Sequence, residues 1–378
     1  MKNKVSKEFE KQFGTTGTLY TAPGRFNLIG EHTDYNGGFV FPGAIDKGIY
    51  AMIRPNGTDK VKVVSLDLND SAEFGLNESD APEQSWARYI FGVCRETLKR
   101  GGKVEGFDAV FAGNVPLGAG LSSSAALESC FANAINDLFN DNTIDKFELA
   151  RIGQSTEHNY CGVNCGIMDQ FASVFGRKDH LMRLDCRSME FEYFPFKPEG
   201  HKLVLVDSRV KHELADSPYN KRRASCERVA KRLGIETLRD ADMAMLDAVK
   251  TDITAEDYFR AKFVIEEKDR VLAVCDALNR GDYETVGRCM YETHDGLSKD
   301  YEVSCEELDF LNDVARECGV TGSRIMGGGF GGCTVNLVKD ELYDNFIETV
   351  TRKFNERYGH KPEIYPVIVS DGARRLED

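Results

Sequence analysis

The sequence predicts a protein of the α+β or α/β class that is organised as two domains. Segments with the alternation of a strand and segments with the period of a helix follow one another along the chain, which indicates a mixed fold. The length of 378 residues exceeds that of a typical single core. Prolines and a glycine within 190–200 predict a boundary between an N-terminal domain, 1–195, and a C-terminal domain, 196–378.

The N-terminal domain is expected to begin with a region rich in strands and turns, 18–55, followed by strands that alternate with helices. The strand patterns lie at 47–54, 61–65 and 107–113. The helical patterns lie at 86–100, 125–139 and 145–160. The last of these helices is expected to end near Gly162 and Gly166, because glycine favours helix termini.

The C-terminal domain opens with an apolar run at 202–207 that is typical of a buried strand. Apolar residues at helical spacing then predict three core-facing helices, near 226–233, 261–275 and 308–315. A further strand pattern at 364–369 closes this domain. We expect that the last strand of the chain could return to the N-terminal domain.

Composition and charge exclude several classes of function. A hydrophobic content of 41% and a charged content of 29% fit a soluble globular protein. The net charge of −14 argues against nucleic acid and anionic membranes as partners, and no apolar run approaches the ~18 residues of a membrane span. The eleven cysteines contain no CxxC pair, and the first residues lack the apolar core of a signal peptide. We therefore expect a cytoplasmic monomer with reduced thiols.

The most informative segment is PLGAGLSSSAALE, residues 116–128. It follows a predicted strand and leads into a predicted helix, and its glycines allow the backbone to approach a ligand closely. A helix N-terminus offers free N–H groups and a partial positive charge, so it attracts phosphate. We interpret the segment as a nucleotide-phosphate loop, with an ordinary tight loop as the alternative. A Walker motif is absent, as are the HRD and DFG motifs of protein kinases.

A second cluster places Arg25, Glu31, His32 and Asp34 within ten residues between glycine-rich turns. Carboxylates accept hydrogen bonds from hydroxyl groups, so this density of polar side chains suits a polyhydroxylated ligand. A solvated charged loop is the alternative. The apolar residues between the charges, such as Phe26 and Ile29, disfavour it because they would anchor the loop to a core.

The third cluster spans Glu157 to Gln170 and places Asp169 among apolar residues. A carboxylate in such surroundings must have partners or be neutral, so Asp169 is either a positioned general base or the N-cap of a helix. Glu157 ends the preceding helix and could reach a metal ion. Hard oxygen ligands suit Mg²⁺, which binds one or two protein groups together with phosphate oxygens.

The glycine-rich segment MGGGFGGC, residues 326–333, formally satisfies the GxGxxG pattern. A dinucleotide-binding fingerprint lies between a strand and a helix, whereas this segment is followed by a strand pattern. We therefore expect a glycine hairpin that closes over the active site, with a plain structural turn as the alternative. A dinucleotide-dependent oxidoreductase is correspondingly disfavoured.

These clusters, in this order, resemble the GHMP kinases. PLGAGLSSSAALE is similar to the central phosphate-loop motif of that family, and MGGGFGGC to its C-terminal glycine motif. Three segments resemble the galactokinase branch in particular. They are GRFNLIGEHTDYNGG at 24–38, CGIMDQ at 165–170 and SPYNKRR at 217–223. The resemblance spans 20–335, nearly the whole chain, and its first motif is long and highly specific.

The resemblance implies a two-domain α+β GHMP kinase fold with the active site between the domains. It implies ATP and Mg²⁺ as cosubstrate and cofactor, and galactose as the acceptor. The implied reaction transfers the γ-phosphoryl group of ATP to the anomeric hydroxyl of α-D-galactose and yields galactose 1-phosphate for galactose catabolism. Phosphoryl transfer of this kind depends on alignment and charge neutralisation more than on covalent chemistry.

The resemblance also implies roles for individual residues of this chain, at the positions that match the family motifs. Asp169 and Arg25 match the catalytic aspartate and arginine. The sugar-binding positions are Glu31, His32, Thr33, Asp34, Gly166 and Tyr219. The ATP-binding positions are Ser65, Gly118, Ala119, Gly120, Leu121, Ser122, Ser123 and Ser124. The metal-associated positions are Ser124 and Glu157.

Two other functions on the same fold remain as alternatives. A kinase for a related sugar such as N-acetylgalactosamine would need space near C2 of the sugar, which the sequence does not reveal. A non-catalytic sensor of galactose and ATP would resemble relatives with a disrupted phosphate loop, but here 122–126 is unbroken and Asp169 is present. An ordinary carboxylate is a weak base, so Asp169 either removes the hydroxyl proton or mainly orients the hydroxyl.

Overall fold

The computed structural model describes residues 1–116, 120–210 and 218–377, apart from the side chains of Pro218 and Tyr219. The described residues confirm the predicted α+β class. The helices are α1 (Lys2–Phe13), α2 (Ser85–Lys99), α3 (Ser123–Phe139), α4 (Lys146–Thr156), α5 (Met168–Phe175), α6 (Pro218–Leu233), α7 (Met243–Ala248), α8 (Ala255–Asn279), α9 (Tyr283–Lys299), α10 (Glu306–Glu317) and α11 (Tyr343–Tyr358). The strands are β1 (Thr18–Asn27), β2 (Phe39–Val40), β3 (Pro42–Pro55), β4 (Lys60–Ser65), β5 (Asp70–Gly75), β6 (Phe107–Gly113), β7 (His180–Asp185), β8 (Phe191–Pro195), β9 (His201–Asp207), β10 (Gly322–Ile325), β11 (Cys333–Lys339), β12 (Glu363–Val367) and β13 (Arg374–Arg375).

The N-terminal half is built on a six-stranded sheet in the order β13-β1-β3-β6-β4-β5. Its strands pair antiparallel except for β4 and β6, which run parallel. Alternate residues of β6 point to opposite faces, as the period of a strand requires. Ala109 and Phe111 pack with Phe131 of α3, whereas Val110 and Ala112 pack with Phe9 of α1. Helices therefore cover both faces of the sheet.

The C-terminal half is built on a four-stranded antiparallel sheet in the order β10-β11-β9-β12. Val204 and Val206 of β9 face a core shared with α6, α8, α10 and α11. Leu205 faces a second core that also contains Phe26 and Ile29 from the N-terminal half. This shared core joins the two halves. A small sheet of β2, β7 and β8 also belongs to the N-terminal half.

Most of the predicted elements are confirmed, and the differences are local. The expected helix over 145–160 is α4 only to Thr156, after which Glu157–Cys161 form a single π-type turn. The strand expected at 364–369 is β12, which stays in the C-terminal sheet beside β9. The strand that returns is β13, which pairs with Tyr20 and Thr21 of β1. The boundary near 195 stays a prediction.

The length and apolar character of a helix decide whether it can cross a bilayer. A membrane-spanning helix needs about 20 consecutive, mostly apolar residues. Within the described parts of the chain, no helix combines the length and the apolar character needed to cross a membrane. Even α8, with 25 residues, carries charged residues throughout its length.

The close approach of α9 to β10 depends on two glycines. A Cβ at Gly287 of α9 would collide with the carbonyl oxygen of Thr321, and a Cβ at Gly322 would lie 2.6 Å from the Cα of Gly287. The two backbones are therefore in direct contact, which fixes where β10 begins. This matters for the site because Arg324 lies two residues further along β10.

We predict that Gly287→Ala destabilises the protein. The added methyl group would collide with backbone atoms, so the cost should lie toward the upper end of the about 1–3 kcal/mol that overpacking causes, above the roughly 1 kcal/mol that alanine gains in helix propensity. Urea unfolding followed by circular dichroism measures the difference. Glu292→Ala, on the exposed face of α9, is the control and should change the free energy of unfolding by at most about 0.5 kcal/mol. Equal stability of Gly287→Ala and the native protein would contradict this packing argument.

Candidate active site

Arg25 and Asp169 form a bidentate ion pair at the centre of the candidate site. Arg25 lies on β1 directly after an irregularity in the strand, where the register of β1 against β3 shifts between Pro23 and Arg25. The Arg25 Nε atom lies 2.8 Å from Asp169 Oδ1, and Nη2 lies 3.0 Å from Oδ2. Arg25 is buried and also donates through Nη1 to the carbonyl oxygen of Gly120. Asp169, in the first turn of α5, keeps 30% of its side chain exposed toward a cavity.

The three serines of the phosphate-loop segment have different partners. Ser122 adopts a left-handed backbone with φ 56°, and its hydroxyl donates to Asp169 Oδ2 instead of capping α3. Ser124 donates a hydrogen bond to Glu157. Ser123 begins α3 and, with its two neighbours, lines the cavity. The serine run therefore connects the N-terminus of α3 to two separate carboxylates.

Glu31 is held by groups from the C-terminal half. Its Oε1 atom accepts hydrogen bonds from Nη2 of Arg324 at 2.8 Å and from the Gly327 backbone at 2.9 Å. Arg324 has no exposed surface and also donates to three backbone carbonyls, those of Asn27, Leu28 and Ile325. Glu31 and the backbone around it are therefore fixed before any ligand binds.

His32 follows Glu31 in a left-handed conformation, with φ 61°. Its Nδ1 atom lies 2.8 Å from the hydroxyl of Tyr35. Burial lowers the pKa of His32 to about 3, and the positive charge of Arg222 acts in the same direction. The imidazole is therefore neutral at physiological pH and offers a hydrogen-bonding group without a charge.

Asp34 lines the same cavity and depends on Gly166 for its position. A Cβ at Gly166 would collide with Asp34 Oδ2, so only glycine leaves room for this carboxylate. Burial raises the pKa of Asp34 to about 6 from its ordinary 3.8. The negative charges of Asp169 and Glu31 act in the same direction, whereas backbone hydrogen bonds oppose the shift.

Two further carboxylates lie behind the serine run. Burial raises the pKa of Glu157 to about 7, and the hydrogen bond from Ser124 opposes this shift. Glu128 of α3 is fully buried and accepts a hydrogen bond from Gln170 at 3.0 Å, and burial raises its pKa well above the ordinary value. No cluster of three or more His, Cys, Asp or Glu side chains in the described parts of the chain could hold a metal ion. Ser124 and Glu157, the predicted metal-associated positions, both line the cavity.

The predicted glycine hairpin connects β10 to β11 and forms one wall of the cavity. Gly327, Gly329 and Gly332 all have positive φ values, near 80°. A Cβ at Gly329 would collide with the carbonyl oxygen of Val303, so this position requires glycine. A Cβ at Gly327 would lie 3.8 Å from the carbonyl oxygen of Gly120, which shows how closely the hairpin approaches the phosphate-loop segment.

Two neighbouring cavities meet at the serine run. The first, of about 350 Å³, is lined by the segment 25–34, which we call the charged turn, and by the serines, Asp169 and the glycine hairpin. The second, of about 240 Å³, is lined mostly by apolar residues and by Ser65. Tyr89, Ser123 and Ser124 line both. The Ser65 hydroxyl is buried and has no hydrogen-bond partner among the described residues.

The first cavity brings together most of the predicted site residues. They are Arg25, Glu31, His32, Asp34, Gly120, Leu121, Ser122, Ser123, Ser124, Glu157, Gly166 and Asp169. Thr33 is not among the lining residues, since its hydroxyl lies within hydrogen-bond distance of the carbonyl oxygens of Gly30 and Phe39 inside the turn. Gly118, Ala119 and the Tyr219 side chain lie outside the described residues.

Sequence reasoning missed several residues of the site. Tyr89, Asn164, Cys165 and Asn220 line the first cavity. Asn164 and Cys165 carried a signal because they lie inside the cluster that contains Asp169, and Asn220 carried one because it lies inside the segment SPYNKRR. Arg324 carried a weak signal, since it immediately precedes the glycine hairpin.

Comparison with protein-family models supports the resemblance along most of the chain. Residues 7–55 match the galactokinase galactose-binding signature. Residues 88–177 match the GHMP kinases N terminal domain, and 275–356 match the GHMP kinases C terminal domain. The galactose-binding signature contains the charged turn, and the N terminal domain contains both the serine run and Asp169.

Individual relatives agree with the family models. A galactokinase of Thermotoga petrophila is 41% identical over 94% of this chain and 99% of its own, and one of Fusobacterium nucleatum is 39% identical over the full length of both. A crystal structure of Lactococcus lactis galactokinase complexed with galactose superimposes with a TM-score of 0.93 at 32% identity and covers 98% of each chain. Mevalonate kinase of Methanococcus jannaschii shares the fold, with a TM-score of 0.68 at 20% identity over 95% of this chain and 100% of its own.

We predict that Arg324→Met strongly destabilises the protein. Methionine has a similar volume but leaves Glu31 buried without its ion pair, and breaking a buried pair in this way costs about 3–5 kcal/mol. Urea unfolding gives the free energy directly. The control is Arg352→Met, which breaks an exposed i,i+4 pair with Glu356 and should cost less than about 1 kcal/mol. A similar loss for both variants would refute the special role of Arg324.

Proposed function

This chain belongs to the galactokinase family of the GHMP kinases, and from that membership we propose the reaction that its cavities support. The γ-phosphoryl group of ATP is transferred to the anomeric hydroxyl of α-D-galactose, and galactose 1-phosphate is released for galactose catabolism. One observation carries this proposal. Arg25 and Ser122 hold the Asp169 carboxylate by hydrogen bonds, and this carboxylate is partly exposed to a cavity. Glu31, His32 and Asp34 line the same cavity.

Asp169 and Arg25 have complementary roles in the transfer. The carboxylate of Asp169 receives the proton of the anomeric hydroxyl or orients that hydroxyl toward the phosphorus atom. The guanidinium of Arg25 is a permanent cation beside it, and it offsets negative charge on the phosphoryl group in the transition state. Because both side chains are held by hydrogen bonds beforehand, little reorganisation is needed at the moment of reaction.

The sugar is recognised by the charged turn. Oε1 of Glu31 is engaged by Arg324 and Gly327, which leaves Oε2 to accept from a sugar hydroxyl. Asp34 supplies a second carboxylate and His32 a neutral ring nitrogen. A site built from such groups rejects analogues that leave them unpaired, so these three residues would set the preference for galactose.

ATP would occupy the second cavity and extend its phosphates along the serine run into the first. Ser123 and Ser124, which line both cavities, lie where the phosphates would pass. The N-terminus of α3 offers free N–H groups to them. The buried Ser65 hydroxyl, which has no partner among the described residues, is available to the nucleoside.

The oxygen donors at the serine run fit Mg²⁺. Ser124 and Glu157 supply hard oxygen ligands side by side, and a buried carboxylate with a raised pKa gains from a nearby cation. We propose that these two residues hold the ion. When bound, Mg²⁺ would neutralise charge on the transferring phosphate.

Several assignments stay predictions. They are the sugar contacts of Thr33 and Tyr219, the phosphate contacts of Gly118 and Ala119, the location in the cytoplasm and the monomeric state. The free thiols support the location, because reduced cysteines are typical of the cytoplasm.

We predict that the native protein phosphorylates galactose and that Asp169→Asn lowers kcat by about 10²–10⁴-fold. Asparagine keeps the shape of the side chain but cannot take up the hydroxyl proton. The measurement is an ADP-coupled assay with galactose, glucose and N-acetylgalactosamine as acceptors. Asp313→Asn, on the exposed face of α10, is the matched control and should retain full activity.

Three outcomes of this assay would count against the proposal. Absence of turnover with every sugar would favour the sensor alternative. Equal turnover of galactose and N-acetylgalactosamine would contradict the specificity. Full activity of Asp169→Asn would remove Asp169 from the reaction.

We predict that kcat/KM for galactose rises between pH 5 and pH 7 with a midpoint near 6. The ionised form of Asp34 accepts hydrogen bonds from the sugar, and burial places its pKa at about 6. Asp34→Asn should lower kcat/KM and flatten this rise. Steady-state kinetics at saturating ATP provide the profile. An unchanged rise in the variant would assign the ionisation to another group.

The same ionisation predicts an opposite effect on stability. The pKa of Asp34 in the folded state lies above its ordinary 3.8, so the folded state binds the proton more tightly than the unfolded chain. Stability therefore falls as pH rises from about 4 through about 6. Asp34→Asn should raise Tm at pH 8 but not at pH 4, and differential scanning calorimetry measures both. A variant that is less stable at pH 8 would contradict this sign.

A further inference from the structure

The charged turn is also held from the C-terminal half at Gly30, the residue before Glu31. The backbone N–H of Gly30 donates to Oε1 of Glu267 at 2.7 Å. Glu267 lies on α8, has no exposed surface and is separated from Gly30 by 237 positions in the sequence. A buried carboxylate thus reaches across the two halves to one peptide group of the turn.

The other oxygen of this carboxylate is fixed within the C-terminal half. Oε2 of Glu267 accepts from Nε of Arg270 and from Oγ1 of Thr293, each at 2.7 Å. Arg270 balances the charge, and Thr293 of α9 prevents rotation of the carboxylate. With one oxygen anchored in this way, the other has a fixed position from which to bind Gly30.

The backbone of Gly30 is correspondingly constrained. Its φ of +93° lies in a region that side chains disfavour, and a Cβ there would lie 2.6 Å from the carbonyl oxygen of Phe39 and 3.0 Å from Cγ2 of Val271. Val271 lies one helical turn after Glu267, so α8 packs directly on the bare backbone. The carbonyl oxygen of Gly30 is engaged by Thr33 within the turn, at 3.0 Å. The hydrogen bond from the Gly30 N–H to Glu267 therefore attaches the Gly30 peptide group to α8.

We propose that Glu267 is a positioning residue for sugar binding, which acts by fixing the backbone that carries Glu31 and His32. This proposal rests on the proposed function, in which the turn binds galactose. Glu267 is not among the residues that line either cavity, so it acts through Gly30 and not on the substrate itself.

The effect should be selective for the sugar. Loss of the carboxylate leaves a buried N–H without its partner, and the turn must shift to satisfy it. A shift of about 1 Å in a substrate-binding group can cost about 10²-fold in rate. The nucleotide cavity is lined by residues of β4, α2 and α3 and their neighbours, none of which hydrogen-bonds to Glu267. Loss of the Glu267 carboxylate should therefore leave the KM for ATP unchanged.

The experiment compares three variants with the native enzyme by steady-state kinetics with galactose and ATP varied in turn. Glu267→Ala removes the acceptor of the Gly30 bond. Glu267→Gln retains an oxygen that can accept this bond. Asp257→Asn is the matched control, since Asp257 is a buried carboxylate on the same helix, paired with Arg228 at 2.6 Å and remote from the turn.

Glu267→Ala should raise the KM for galactose about tenfold or more, as expected for a lost bond to a charged acceptor. The KM for ATP should stay within about twofold, and Glu267→Gln should show a smaller rise in the galactose KM. Asp257→Asn should leave both constants unchanged even where its Tm falls. These differences separate a positioning role from general destabilisation.

Three results, each with an active native enzyme, would overturn the inference while leaving the proposed function intact. The first is an unchanged galactose KM in Glu267→Ala. The second is a parallel rise of both KM values in that variant, and the third is the same rise of the galactose KM in Asp257→Asn. If Glu267→Ala does not fold, Glu267→Gln decides alone, because its uncharged and weaker acceptor should still raise the galactose KM, and a galactose KM equal to that of the native enzyme then rejects the inference. An inactive native protein would instead reject the proposed function.

Discussion

The guanidinium of Arg324 ties together the end of β1, the charged turn and the start of the glycine hairpin. It donates to three backbone carbonyls and to Glu31, and none of its surface is exposed. Burying an isolated charge is costly, so such a side chain is retained only where its partners are fixed in place. Glu267 acts on the same turn from α8. Two buried charges of the C-terminal half thus determine the geometry of a binding segment that lies in the N-terminal half.

The electrostatics of the cavity follow from bringing many carboxylates to one place. Asp34, Glu157 and Asp169 line a space that must also accept the phosphates of ATP, and burial already raises the pKa of Asp34 and of Glu157. Such a site needs positive charge to operate. Arg25 and the N-terminus of α3 provide part of it, and a cation at Ser124 and Glu157 would supply the rest. The proposed metal ion would therefore offset negative charge that these carboxylates bring to the cavity.

The sequence predicted features that depend on neighbouring residues, and it did not predict contacts between residues that are far apart in the chain. The six predicted helices, the predicted strands and the residues within the charged turn and the serine run follow from short-range patterns, and the structure places them close to the expected positions, whereas α1, α7, α9 and α11 were not predicted. Arg324 and Glu267 act on residues 293 and 237 positions away, so no short-range pattern could identify their partners. The π-type turn after Thr156 was also missed, because its periodicity differs from that of α4 by only one residue per turn. Thr33 belongs to the right motif but is engaged inside the turn, which its sequence position does not reveal.

Three residues in or next to the cavity have a strained backbone, and hydrogen bonds to groups that the fold holds in place explain why the strain persists. His32, Ser122 and Phe330 adopt left-handed conformations without being glycine, which costs about 1–2 kcal/mol for each residue. His32 follows the residue that Arg324 holds, Ser122 donates to Asp169, and the N–H of Phe330 donates to the Val303 carbonyl at 2.7 Å. Each of the three strained residues therefore forms a hydrogen bond to a group that the fold holds in place, or follows a residue that does. The stability that these bonds supply maintains a cavity whose donors and acceptors are in position before the substrates arrive, which is the condition for efficient phosphoryl transfer.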